Sequence, residues 1–392
     1  MCGIAGYFGP AEIPPARIAA CEMLMRHRGP DGTGRYTAER QGRRILLLHS
    51  RLSIIDLDPR AGQPFREGSQ MTAFNGEIYD YRERRAELEA AGERFRTTSD
   101  TEVLAKLLHR KGAAALDRCE GMWAFARYDE ADGSLMLSRD RFGEKPLYLM
   151  HADGGLYFGS EVKFIRALLG RPLAPNLDHL RRYLVNGYKA LYKTPATFFE
   201  DIVELPPGST LTIDADATEH KARYWRPRFN QHPTLRFADA LANVRERLIA
   251  AVGLRLRADV PLAFCMSGGV DSNALIAIAK RVFDYDVHGF TIVNTDARYE
   301  EQAMVEESVR VLGIRHSSVG LEHAEFLADL RTLVRAHDAP VYTISYFVHW
   351  RLMQAIAAAG YKVSISGTGA DELFTGYYDH HNLFLAELVD AE

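Results

Sequence analysis

From about Phe237 onward the sequence alternates long helical stretches with short apolar runs, and this alternation limits the fold more than any other feature. "FADALANVRERLIAAVGLRLR" reads as a helix, "VPLAFCMSGG" as a buried strand and "SNALIAIAKRVF" as a helix. Strand "DVHGFTIVN", helix "EEQAMVEESVRVLG", strand "RHSSVG", helices "HAEFLADLRTLVRAH" and "SYFVHWRLMQAIAAAG", and strand "YKVSISG" follow. Strands separated by helices cannot pair as hairpins, so a doubly wound parallel sheet with helices on both faces is expected, an α/β fold.

The first half has another texture. Short strands, "GIAGYFG", "RILLLHSRLSIID", "QMTAFNG", "MWAFARYD", "SLMLSRD", "LYLM" and "LYFGSE", are divided by Gly, Asp and Pro. The few helices between them include "YRERRAELEAAG" and "SDTEVLAKLLHRKG", the latter with a serine cap. This is α+β patterning. With 392 residues two domains are expected. They are placed at 1–215 and 236–392, joined by a linker at 216–235 where charges and turn formers replace periodicity.

A net charge of -4 offers no basic field for nucleic acid or an anionic membrane. Cys2, Cys21, Cys119 and Cys265 lie far apart without a zinc-binding or disulfide spacing, which fits a reducing cytoplasm. Pro10, Glu12, Pro14 and Pro15 break up the N-terminus, so neither a leader nor a membrane span is expected. Cys21, Cys119 and Cys265 read as small core residues.

Cys2 is different. Removal of Met1 would leave its thiol and a free α-amine on one residue, and an amine that titrates near neutrality can take the thiol proton. The segments "HRGPDGTG" (His27–Gly34), "HSRLSIID" (His49–Asp56), "FNGEIYDY" (Phe74–Tyr81) and "TTSDTEV" (Thr97–Val103) follow in order. With Cys2 they resemble the glutaminase domain of class II amidotransferases, N-terminal-nucleophile (Ntn) hydrolases with an αββα sandwich. That resemblance makes Cys2 the nucleophile and places the oxyanion against the Asn75 side chain and the Gly76 N–H. It gives glutamine binding to Arg51, Asn75, Glu77 and Asp100. The Arg51 guanidinium suits the α-carboxylate, the Asp100 carboxylate suits the α-ammonium, and Glu77 sits where polar groups of the substrate need fixing. Plainer readings stay open: Arg51 as a strand-end charge, Asn75-Gly76 as a hairpin turn, and Asp100 as a helix cap beside Ser99.

"SGGVDS" (Ser267–Ser272) follows an apolar strand and opens a helix, where backbone N–H groups and the helix dipole favour an anion. The alternative is a simple strand-to-helix connection. With "RGPD", "NGEIY" and "RDRFGEKPLYL" it resembles glutamine-hydrolysing asparagine synthetase, whose second domain is a PP-loop ATP pyrophosphatase. By resemblance, ATP is held by Ser267, Gly268, Gly269, Asp271, Ser272, Ser366 and Gly367, and Mg²⁺ by Asp271 and by Asp371 of "SGTGADELFTGYY". Glutamine-derived ammonia would then amidate an adenylated carboxylate, most simply aspartate.

Two departures keep alternatives open. Position 368 is threonine where the family carries Glu or Asp, so another carboxylate, such as a sugar uronate in surface polysaccharide synthesis, is an alternative acceptor. The chain stops about twenty residues beyond "GADE", before the family's "RxPFLD" stretch. That implies a truncated second domain with apolar surface uncovered, or a glutaminase-only or catalytically silent chain. The resemblance also allows a homodimer, with no nucleic-acid or membrane partner.

Overall fold

All residues of the opening strand, β1 (Gly3–Gly9), are buried, because both its faces are covered. Ile4 and Phe8 point into one apolar core while Ala5 and Tyr7 point into another, the two-residue period of a strand packed on both sides. The computed structural model describes residues 1–228, 234–293, 301–320 and 326–390. Two units result: Met1–Pro233 with Val334–Tyr342, and Thr234–Leu333 with Thr343–Glu392.

In the first unit, β1 is followed by α1 (Pro15–Met25), β2 (Gly32–Arg40), β3 (Arg43–Arg51), β4 (Phe65–Glu67), β5 (Gln70–Ile78), α2 (Tyr81–Ala90) and α3 (Asp100–Lys111). Then come β6 (Gly121–Asp129), β7 (Leu135–Arg139), β8 (Tyr148–Ala152), β9 (Gly155–Gly159), α4 (Val162–Leu169), α5 (Leu177–Asn186), β10 (Ile202–Glu204), β11 (Ser209–Ile213) and β12 (Glu219–Arg223). The strands form two six-stranded antiparallel sheets, ordered β10-β8-β9-β1-β3-β2 and β12-β11-β7-β6-β5-β4.

The sheets share one core, in which Ile4, Phe8, Ile45 and Leu47 meet Ala73, Ala126, Tyr128, Leu137 and Leu211. Outside it, Cys21 and Met25 of α1 with Phe164 and Leu168 of α4 cover the first sheet. Val103, Leu104, Leu107 and Leu108 of α3 cover Trp123 and Phe125 of the second. The layers are α, β, β, α, the expected sandwich.

The structure differs from the sequence reading at several elements; strands β2, β4, β10 and β11 were not anticipated. Helix α1 begins at Pro15, a residue taken as an interruption; proline is favoured at the first helical position, where its missing N–H would have no partner. Helices α4 and α5 were not anticipated. Strand β12 lies inside the stretch read as linker and pairs with β11, Leu211 opposite Lys221. Its exposed, charged side chains hide it from an apolar pattern. Residues 229–233 of that expected linker lie outside the described residues.

The second unit contains α6 (Phe237–Arg255), β13 (Leu262–Cys265), α7 (Val270–Arg281), β14 (His288–Ile292), α8 (Gln302–Leu312), β15 (Arg315–Val319), α9 (Phe326–His337) as far as Leu333, α10 (Ile344–Ala358), β16 (Val363–Ile365), α11 (Ala370–Phe374) and α12 (Tyr378–Asp390). Its sheet, β15-β14-β13-β16, is parallel throughout, as the alternation predicts. Leu262 and Phe264 pack with Val252 and Ile276 on one face, and Ala263 packs with Phe290, Leu352 and Ile356 on the other. Because β13 is flanked by later strands on both sides, the loops after β13 and β16 leave the sheet at its topological switch point. Leu373, Phe374, Leu383 and Phe384 on α11 and α12 are exposed. No described helix is long and apolar enough to cross a membrane.

Phe125, fully buried between the second sheet and α3, tests the layered core. Phe125→Ala is expected to destabilise the first unit by about 3–5 kcal/mol, read as a lower denaturant midpoint at unchanged slope.

Candidate active site

Cys2 precedes β1, where Gly3 pairs with Ser50 of β3. Its sulfur accepts a hydrogen bond from the Leu52 N–H at 3.3 Å and lies 3.6 Å from the Leu52 carbonyl. Burial pushes the thiol pKa above its ordinary value, against the Leu52 N–H, the neighbouring amino group and Arg28. A thiol so placed needs a base before it can attack. In the chain with Met1 retained, the α-amino group belongs to Met1, and burial lowers it to about 6.

A cavity of about 30 Å³ joins Cys2 to Arg51, Gly76, Glu77 and Asp100. Four of the five sequence-predicted residues thus meet the nucleophile at one opening. Asn75, the fifth, is fully buried, and neither its amide oxygen nor its amide nitrogen has a partner. A buried amide left unpaired costs free energy, so this side chain is not explained by the packing of the unit alone.

Asn75 and Gly76 are not a hairpin turn. They lie within β5 and face Ala124 and Trp123 of β6. A Cβ on Gly76 would stand 2.1 Å from the Met122 carbonyl oxygen, so strand pairing alone demands glycine there. Arg51 ends β3, but its guanidinium is turned inward, donating to the Asp58 carbonyl at 2.9 Å and to the Asp56 carbonyl. Asp56 in turn accepts from the N–H of Thr98 and of Asp58, which ties the loop after β3 to the start of α3.

Ser99 is the cap of α3, accepting from the Thr101 N–H at 3.1 Å, so Asp100 is free of that task. Its carboxylate accepts from the Ile78 N–H at 3.0 Å. Burial raises Asp100 to about 6, opposed by the Ile78 and Thr101 N–H groups and by Ser99. Burial and the nearby Asp100 charge raise Glu77 to about 7, opposed by Lys145 and the amino group.

Sequence reasoning missed two basic residues here. Arg28, buried, donates through Nε to the Cys2 carbonyl at 2.8 Å. Lys145, also buried, places Nζ 3.1 Å from the Met1 sulfur, and burial lowers its pKa against the pull of Glu77. Both sit in quoted motifs, "HRGPD" and "GEKP", where a Gly/Pro turn reads as solvent-exposed. His49 was quoted without a role; its Nε2 meets the Phe74 carbonyl at 3.1 Å, bridging the two sheets, and burial lowers it to about 3, so it stays neutral.

In the second unit a cavity of about 590 Å³ is lined by Ser267, Gly269, Asp271 and Ser272 from the first loop and by Ser366, Gly367, Thr368 and Asp371 from the second. Both turns face one crevice, as the strand order requires. Gly268 does not line it; its N–H donates to the Glu301 carboxylate at 2.7 Å. Glu301 thus places a carboxylate of the chain itself on a backbone N–H of this helix-opening loop. Thr368 shares a hydrogen bond with Ser366 at 3.1 Å. Cys265 is partly buried, packing against the core cluster of Ala263, Phe290, Leu352 and Ile356 while also lining this cavity, and Cys21 and Cys119 are fully buried as expected. Among the described residues no group of three or more His, Cys, Asp or Glu side chains is placed to hold a metal alone.

An αββα sandwich with a near-terminal thiol over a carboxylate- and arginine-lined opening, followed by a parallel-sheet unit with an anion loop, has the build of a two-domain amidotransferase. The glutamine amidotransferase domain family matches residues 1–225 and the asparagine synthase family residues 243–389. The chain is 32% identical to asparagine synthetase [glutamine-hydrolyzing] 1 of Bacillus subtilis (strain 168), across 96% of this chain and 59% of that protein. It is 33% identical to a putative asparagine synthetase [glutamine-hydrolyzing] of Mycobacterium bovis, across 96% and 60%. To the protein named amidase chry2 of Gibberella zeae it is 29% identical, across 96% and 59%. The chain belongs to the glutamine-hydrolysing asparagine synthetase family, and spans about three fifths of the length of these curated relatives.

Glu77 gives a pH test. An acid with a folded pKa of about 7 against an ordinary 4.5 holds an extra proton in the folded state between those values, so its share of stability is lost as pH rises through that window. Glu77→Gln is expected to match the parent below about pH 4.5 and to exceed it, by on the order of 3 kcal/mol, above pH 7. Denaturant midpoints across pH check this; parallel curves would contradict it.

Proposed function

We propose that this chain carries a glutamine-dependent amidotransferase. Cys2, with Met1 removed, attacks the glutamine side-chain amide and its own α-amine takes the thiol proton; Arg51 holds the α-carboxylate, and Asp100 and Glu77 the α-ammonium. The carrying observation is the buried Asn75 amide without a partner, next in the chain to the Gly76 that lines the cavity with Cys2. Asn75 Nδ2 and the Gly76 N–H stabilise the tetrahedral oxyanion, which collapses to a thioester with release of ammonia. The present opening has room for about one water. Glutamine entry therefore requires it to widen, and loss of Met1 is the change that this chemistry already demands.

In the second unit, Ser267, Gly268, Gly269 and Ser272 would cradle the phosphates of ATP with Ser366 and Gly367. Displacement of Glu301 from Gly268 would complete the anion site. Asp271 and Asp371 would supply two ligands to Mg²⁺, an ion that commonly takes its other ligands from phosphate and water. Such binding activates a carboxylate as its adenylate for attack by ammonia, and aspartate is the first acceptor on this reading. Thr368 favours a second reading, in which another carboxylate, for example a uronate, is amidated. Four free thiols agree with a cytoplasmic setting, and the family resemblance allows a homodimer.

Cys2→Ala is expected to abolish glutamate release from glutamine, and Asn75→Ala to lower kcat by about 10²–10³-fold. Retained activity in Cys2→Ala, or an intact N-terminal methionine on active protein, would refute the assignment. Mass analysis of products from ATP, glutamine and either aspartate or a uronic acid separates the two acceptors.

A further inference from the structure

A row of four alternating charges runs inward from the nucleophile. Arg28 donates through Nε to the Cys2 carbonyl and through Nη1 to Glu161 Oε1 at 2.8 Å. The other carboxylate oxygen of Glu161 accepts from Lys163 Nζ. Lys163 Nζ also donates to the Ala336 carbonyl at 2.7 Å and lies 3.2 Å from Asp338, whose carboxylate accepts the Lys163 N–H at 3.0 Å. All four side chains are at least four-fifths buried. Asp338 belongs to the stretch Val334–Tyr342, which is part of the first unit.

None of these groups except Arg28 touches Cys2, and none lines the opening beside the thiol. Their chemistry is that of support. Arg28 is fixed only at Nε and Nη1; its Nη2 is buried with no partner. The Glu161 clamp thus decides where the guanidinium points. Glu161 would be raised by burial, but a hydrogen bond from His27 and the charges of Arg28 and Lys163 hold it at about 2, so the clamp stays ionised. Removing one member of a buried charge row leaves its neighbour uncompensated, and the neighbour must rotate to find another partner.

We infer that Glu161, Lys163 and Asp338 are positioning residues that hold Arg28 on the Cys2 carbonyl and thereby fix the nucleophile for attack. This rests on the glutaminase reading above. Because glutamine binding falls to Arg51, Glu77 and Asp100, loosening the row disturbs the reacting geometry and leaves substrate affinity intact.

The test is steady-state glutaminase kinetics on the full chain. Lys163→Met is expected to lower kcat at least about 10-fold with KM for glutamine within about 2-fold, Lys163→Arg to restore most of it, and Asp338→Asn to fall between. An unchanged kcat in Lys163→Met, a loss confined to KM, or an arginine variant as poor as the methionine one at equal thermal midpoint overturns the inference. If Lys163→Met does not fold, Asp338→Asn decides, and a parental kcat there overturns it. Should the parent release no glutamate, the glutaminase reading fails by itself. The row is then judged by iodoacetamide alkylation of Cys2, which must differ between parent and Lys163→Met for the inference to stand.

Discussion

Loss of water around a handful of ionisable groups sets the properties of the first unit. Two sheets that dry each other across a shared core leave one end of β1, β3 and β5 lined with polar side chains that have nowhere else to go. There, burial raises the Cys2 thiol and the Glu77 and Asp100 carboxyls and lowers Lys145 and His49. All five shifts favour the neutral form, as desolvation dictates. On the proposed glutaminase reading, an incoming zwitterion would meet groups whose charge is poorly served by the protein alone, and its own charges would provide what solvent no longer does.

The same desolvation explains which parts could be read from the sequence. Strand β5 and helix α3 are marked by local signals, a short run bounded by turn formers in one and the Ser99 cap in the other, and the structure has a strand and a helix there. The cluster at the cavity was legible because Cys2, Arg51, Gly76, Glu77 and Asp100 sit in ordered motifs. Arg28 and Lys145 were not, since nothing in a short stretch distinguishes a buried cation from a solvated one; the distinction is made by residues far away, Glu161 and Glu77. Helix α1 was hidden by a proline that starts it, and β12 by charges pointing outward along a sheet edge.

Asn75-Gly76 shows how a motif can carry two demands at once. The pair looks like a turn, yet it lies mid-strand, and the glycine is imposed by the neighbouring strand whatever the unit binds. The asparagine carries the chemical information, because both polar atoms of its fully buried amide are unsatisfied. Burial without a partner says more here than the dipeptide does.

Glu301 alters what a nucleotide gains by docking. Its carboxylate already occupies the Gly268 N–H, so an arriving phosphate exchanges one anion for another and gains no additional backbone contact there. The displaced glutamate must then find water or a cation, and like charge beside the guest works against retention. On the proposed ATP-binding reading, residence on this loop would be governed by what neutralises the pair, the part proposed there for the divalent ion.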